Sequence, residues 1–231
     1  MDLELKHLDV ETAFLYSPLD EPVWCEFPPG YKVDGFVMEL LRALYGLPGA
    51  PRAWNVHIDS YLSQLGFLSC RNETSLYYQP SLGVLLARYV GDMIVASVSG
   101  GYEWLKEMLR EKVVIEDLGD VSTFLGVSVS RDRESRQLTL HLTKYMDAVI
   151  DKFGMTDCGP ADCPLPIGPD FNARSESFSA AEVDSIANFP YRSVVGHLQY
   201  AATTCRPDLA YACSILSRVL DGPAPVHVHA C

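Results

Sequence analysis

An α+β fold, with helices covering one face of an antiparallel sheet, is predicted by three features of the chain. First, two runs rich in apolar and β-branched residues, Val84–Val90 and Met93–Ser97, flank the dipeptide Gly91-Asp92, the strongest short-range signature of a β-hairpin. Second, two stretches place apolar residues at three- and four-residue spacing: Trp54, Ile58, Tyr61, Leu62 and Leu65, then Trp104, Leu105, Met108 and Leu109. Third, residues 113–115, 124–129 and 137–142 read as extended and supply further strands.

Taken in order, the chain begins with a short strand over Leu5–Val10. A second extended piece, Pro22–Phe27, alternates Val23, Cys25 and Phe27 against Trp24 and Glu26 and runs into the turn Pro28-Pro29-Gly30. The first helix starts at Pro51, where the ring's fixed φ suits a first turn, and stops at Gly66. In the hairpin, Gly91 is expected to take the positive φ of a type II′ turn, which leaves Asp92 as the carboxylate at the tip. The second helix follows Gly100-Gly101, with Glu107 and Glu111 on its polar side. The charged run Arg131-Asp132-Arg133-Glu134 joins the last two strands. Lys144–Phe153 is a short amphipathic helix closed by Gly154. Residues 159–190 carry five Pro and little apolar periodicity, so they read as a linker or long loop. Tyr191–Ala202 and Pro207–Leu220 are helices, Pro207 opening the second and Asp208 favouring its positive end.

At 231 residues and 48% apolar, the chain is long and apolar enough to bury a core. It has no run of eighteen apolar residues and no basic-then-apolar leader, so neither a membrane nor secretion is indicated. Seven Cys, an odd number, argue for reduced thiols in an intracellular setting. Cys158 with Cys163, and His227, His229 and Cys231, fit no common zinc spacing. The formal charge of −12 argues against tight binding to a phosphate backbone.

Four blocks then carry a resemblance. They are Leu8-Asp9-Val10-Glu11-Thr12-Ala13-Phe14-Leu15, Leu44-Tyr45-Gly46-Leu47-Pro48-Gly49-Ala50-Pro51-Arg52-Ala53-Trp54, Tyr89-Val90-Gly91-Asp92, and Leu118-Gly119-Asp120-Val121-Ser122-Thr123-Phe124-Leu125-Gly126. In order and spacing they resemble the reverse transcriptase of copia-type retrotransposons. The likeness continues to Arg206-Pro207-Asp208-Leu209-Ala210-Tyr211. It implies a palm over residues 1–143, an antiparallel sheet with helices on one face, followed by a helical thumb or connection over 144–231. It also implies an RNA-directed DNA polymerase that acts on a primer–template and dNTP with Mg²⁺ or Mn²⁺, in the cytoplasm (virus-like particles) or the nucleus. Two such cations, roughly 3.5–4 Å apart, would stabilise the attacking and leaving oxygens of an in-line displacement, and hard cations take carboxylate oxygens.

By the resemblance, Asp9 and Asp92 are the catalytic and metal-binding carboxylates, and Tyr89, Val90 and Gly91 complete the hairpin tip. Phe14 would stack under the sugar and exclude a 2′-hydroxyl, the N–H groups of Thr12 and Ala13 would face the triphosphate, and Tyr45 and Gly46 would border the nucleotide. Phe124, Leu125 and Gly126 would grip the primer end. The family's tip reads Tyr-x-Asp-Asp, and here Gly91 replaces the first aspartate, a metal ligand. If that costs about 4 kcal/mol of transition-state stabilisation, the rate falls on the order of a thousandfold. Pro48-Gly49 stands where Lys-Gln is usual, and Arg88 where an apolar residue is usual. The chain starts shortly before Asp9, so a fingers region is expected to be largely missing. The expectation is a truncated, catalytically impaired copy with weak nucleic-acid binding. The alternative is a non-catalytic, host-adopted binding or interaction module on the same fold.

Overall fold

A computed structural model describes residues 2–98, 100–165, 168–172 and 177–231. It divides into two compact units, Met1–Phe124 and Leu125–Cys231, so the expected boundary at 143 falls inside the second unit.

The first unit is built on a six-stranded antiparallel sheet. Its strands are β1 (Glu4–Val10), β4 (Leu68–Ser69), β5 (Leu76–Gln79), β6 (Val84–Tyr89), β7 (Asp92–Ser97) and β8 (Ile115–Asp120), in the order β4-β5-β6-β7-β1-β8. Period-two alternation sorts the side chains. Leu8, Val10, Val84, Leu86, Met93 and Val95 are buried on one face, while His7, Asp9 and Asp92 stand on the other. Helices α1 (Ala50–Gln64) and α2 (Gly101–Arg110) lay Trp54, Ile58, Leu62, Leu105 and Leu109 on the apolar face, and together these residues form one core. Strands β2 (Val23–Cys25) and β3 (Met38–Leu40) form a separate antiparallel ribbon. The mixed architecture of antiparallel strands and helices agrees with the predicted class.

Edge strand β8 is irregular. Its register with β1 shifts between His7 and Leu8, and Gly119 takes a φ of 75° at the shift. The α2 helix clasps it: Tyr102 donates to Asp117 Oδ1 and Lys106 Nζ lies 2.9 Å from Oδ2. The Tyr102 hydroxyl first, then the Lys106 ammonium, hold the Asp117 carboxyl down to about 2.

Two expectations need correction. The hairpin turn is one residue earlier than predicted, with Tyr89 paired to Asp92 and Val90-Gly91 as the loop. The positive φ, 56°, falls on Val90 and not on Gly91. Asp92 is drawn into the ladder because it pairs on both sides, with Tyr89 and with Asp9. Second, the 159–190 stretch is no uniform loop. Residues 166–167 and 173–176 lie outside the described residues, but α4 (Ala180–Ser185) forms behind a capping box of Ser179 and Glu182.

The second unit holds β9 (Val127–Asp132) paired with β10 (Gln137–His141), then α3 (Thr143–Lys152), α4, α5 (Tyr191–Thr204), α6 (Ala210–Leu216) and α7 (Pro225–Val228). The helix expected over Pro207–Leu220 is α6 with a 3₁₀ turn at each end. Leu165, Tyr191, Val195, Ala212 and Leu216 make its core, and the Tyr191 hydroxyl donates to the Leu216 carbonyl at 2.8 Å. Buried His227 has both ring nitrogens engaged by backbone, Nδ1 accepting from Ala224 N and Nε2 donating to Phe171 O. No described helix is long and apolar enough to cross a membrane.

Candidate active site

Antiparallel pairing places Asp9 of β1 directly opposite Asp92 of β7, on the sheet face that the helices leave open. Opposed side chains in such a pair have Cβ atoms about 4.5–5.5 Å apart, so two carboxylates meet there. On the other side of β1, Asp9 is opposite Glu116 of β8. The result is a row of three acidic side chains across three neighbouring strands. Burial first, then the charges of Asp92 and Glu116, push the Asp9 carboxyl above its ordinary range. His7, two residues before Asp9 and so on the same face, lies with Nε2 3.1 Å from Asp92 Oδ1. Phe124 packs edge-on against His7 with ring centroids 5.8 Å apart, which brings the first of the predicted primer-grip residues to this face.

The hairpin tip closes tightly on β1. Val10 N donates to Gly91 O at 3.0 Å, and a Cβ at Gly91 would lie 2.8 Å from Val10 O and 3.0 Å from Asp9 Oδ1. A side chain at 91 would thus press against the Asp9 carboxylate. Val90, β-branched and held at positive φ, is a conformational outlier, and its carbonyl accepts from the indole Nε1 of buried Trp54 at 2.9 Å. Tyr89 is exposed on the tip.

Thr12 also takes a positive φ, 51°, and turns the chain from β1 into a 3₁₀ turn over Ala13–Tyr16 that buries Ala13 and Phe14. The ring of Phe14 meets that of Tyr45, centroids 4.4 Å apart, and Gly46 turns the next bend with a φ of 96°. The predicted nucleotide-binding residues Phe14 and Tyr45 are therefore brought together. Leu125 and Gly126 belong to the second unit, where a third strained residue, Leu125 at φ 49°, has its carbonyl held by the Tyr200 hydroxyl at 3.2 Å.

Sequence reasoning passed over His7, Glu116 and the Trp54 tie. His7 was within reach, since residues two apart in a strand share a face. Glu116 was not, because its place opposite Asp9 depends on the irregular register of β8. As a cation holder the site is short of donors: among the described residues no group of three or more His, Cys, Asp or Glu side chains could hold a metal ion.

Residues 2–167 match the family model described as reverse transcriptase (RNA-dependent DNA polymerase). The chain belongs to the reverse transcriptase family. Relatives of this reverse transcriptase domain agree with the copia-type resemblance. The chain is 34% identical, over 98% of its length, to the retrovirus-related Pol polyprotein from transposon TNT 1-94 of Nicotiana tabacum, of which it covers 18%. It is 33% identical over 96% of its length to a transposon Ty5-1 protein of Saccharomyces cerevisiae, of which it covers 71%. With the Pol polyprotein from transposon RE1 of Arabidopsis thaliana it shares 30% identity and covers 15% of that polyprotein. The reverse transcriptase domain thus spans less than a fifth of two of these relatives.

Proposed function

We propose that this chain is the polymerase unit of a retrotransposon reverse transcriptase, built for templated nucleotidyl transfer, whose catalysis is impaired in this copy. Asp9 and Asp92 would offer oxygen ligands to a divalent cation, the kind of donor that Mg²⁺ and Mn²⁺ prefer. Phe14 and Tyr45, with Gly46 and the N–H groups of Thr12 and Ala13, would border the nucleotide, and Phe124, Leu125 and Gly126 the primer end. One observation carries the impairment. A Cβ at Gly91 would lie 3.0 Å from Asp9 Oδ1, so a position beside the first carboxylate brings no ligand.

Primer extension tests this. The purified chain, an Asp9→Ala variant and a Gly91→Asp variant are given a primed RNA template, labelled primer, dNTP and Mg²⁺ or Mn²⁺. The unmodified chain should extend no more than Asp9→Ala. Gly91→Asp alone should not restore extension, because Val10 O, 2.8 Å from the added Cβ, forces the tip away from β1. Extension by the unmodified chain above the Asp9→Ala background would overturn the reading of impaired catalysis.

A further inference from the structure

The strand β6 alternates inward Val84, Leu86 and then Arg88, so a guanidinium enters the face that α1 covers, opposite to the face bearing Asp9 and Asp92. Arg88 is only 6% exposed. Its Nη2 donates to Asn55 Oδ1 and to the Tyr77 hydroxyl, the latter at 3.2 Å, and its Nε is buried without a partner. The nearest acid in the network, Asp59, is one step removed, since it accepts from the Tyr77 hydroxyl at 2.5 Å. Buried charges are normally paired directly, because an unpaired one forfeits its hydration for nothing in return.

Beside this guanidinium is a cavity of about 330 Å³, at the small end of ligand sites, whose lining includes Arg52, Asn55, Ser75 and Arg88 and reaches Tyr89 and Val90 of the hairpin tip. Ser75 is tied to the strand by its carbonyl, which accepts from Arg88 N at 2.9 Å. Arg52 lies in the first turn of α1, a 15-residue helix. Two guanidinium side chains, an amide side chain and a hydroxyl side chain thus line one concavity. We propose that this cavity is a phosphate-binding site, formed chiefly by Arg52 and Arg88. Guanidinium forks match the paired oxygens of a phosphate, and the buried member supplies a charge already stripped of water. Free inorganic phosphate and a nucleic-acid phosphodiester share that chemistry. Arg88 enters from the sheet face opposite the carboxylates, while the cavity opens at the hairpin tip beside Tyr89 and Val90; the proposal uses the two guanidiniums and needs no metal and no nucleotidyl transfer.

The test uses the full chain labelled with ¹⁵N. Trp54 lines the cavity, and its indole N–H signal, assigned by its loss in Trp54→Phe, reports occupancy. Inorganic phosphate is titrated in one arm and a thymidine oligonucleotide without terminal phosphates in the other, at constant ionic strength. The Trp54 signal should move with saturation in at least one arm, and the arm that moves it names the source. Arg52→Met, an exposed position, should raise the half-saturation concentration roughly tenfold, as loss of one charge-assisted contact implies. Arg88→Met should abolish the movement, with circular dichroism confirming the fold. No movement in either arm, or equal saturation in wild type and Arg52→Met, would overturn the proposal.

Discussion

Asp9 carries its charge at a cost to the fold. Flanked by Asp92 and Glu116 and partly buried, its carboxyl has a raised pKa, so the folded chain binds that proton more tightly than the unfolded chain does. The sign follows: this group favours folding at low pH, and that advantage is lost as pH rises through its unfolded and then its folded value. Asp9→Asn should therefore raise the melting temperature at pH 7 by a few degrees, with the gain shrinking as the pH falls toward 4. Thermal unfolding followed by circular dichroism across that range checks it, and an Asn variant less stable than the parent at neutral pH would contradict the repulsion. The carboxylate pair itself was implied by the resemblance to copia-type reverse transcriptases. Its crowding was not, since cross-strand neighbours are fixed by register and a single shift re-pairs every residue. The same reason displaced the expected positive φ from Gly91 to Val90.

A hairpin tip with a β-branched residue in the left-handed region needs an outside hold, and α1 provides it through the Trp54 indole. Trp54→Phe removes that hydrogen bond and part of a buried ring, and should cost about 1–3 kcal/mol. Amide exchange should also quicken across Tyr89–Asp92 more than in the far half of β6. Uniform exchange along the hairpin would mean that Trp54 matters only as core filling. The helix itself was plain in the sequence because its apolar stripe repeats over four turns and opens on Pro51. By contrast, β4 and β5 escaped notice. They are two and four residues long, and the inward positions of β5 are Tyr77 and Gln79, so no hydrophobic alternation marks them. The α4 helix was hidden by the Pro-rich composition around it, although Ser179 and Glu182 spell a capping box.

At the scale of the whole chain, each unit has its own core, one drawn from residues 8–115 and the other from 165 onward. A family that handles nucleic acid meets here a formal charge of −12, and long-range repulsion of a polyanion should follow. Binding to a primer–template duplex is accordingly expected to be weak and to collapse as salt rises through the physiological range. Fluorescence anisotropy at stepped salt concentrations measures it; tight association at moderate salt would show that local basic sites outweigh the overall charge.

The edge strand β8 has a bearing on how copies of this chain meet one another. An open edge invites a strand from a second molecule, and sequences resist this with charge and irregular register. Glu116, Asp117 and Asp120 stud this edge, and the shift at Gly119 breaks its regular pairing line. Tyr102 and Lys106 keep Asp117 ionised down to about 2, so one guard stays charged deep into acid. The acidity that burdens Asp9 on one side of the ladder therefore shields the sheet, on the other, from growing into its neighbour's.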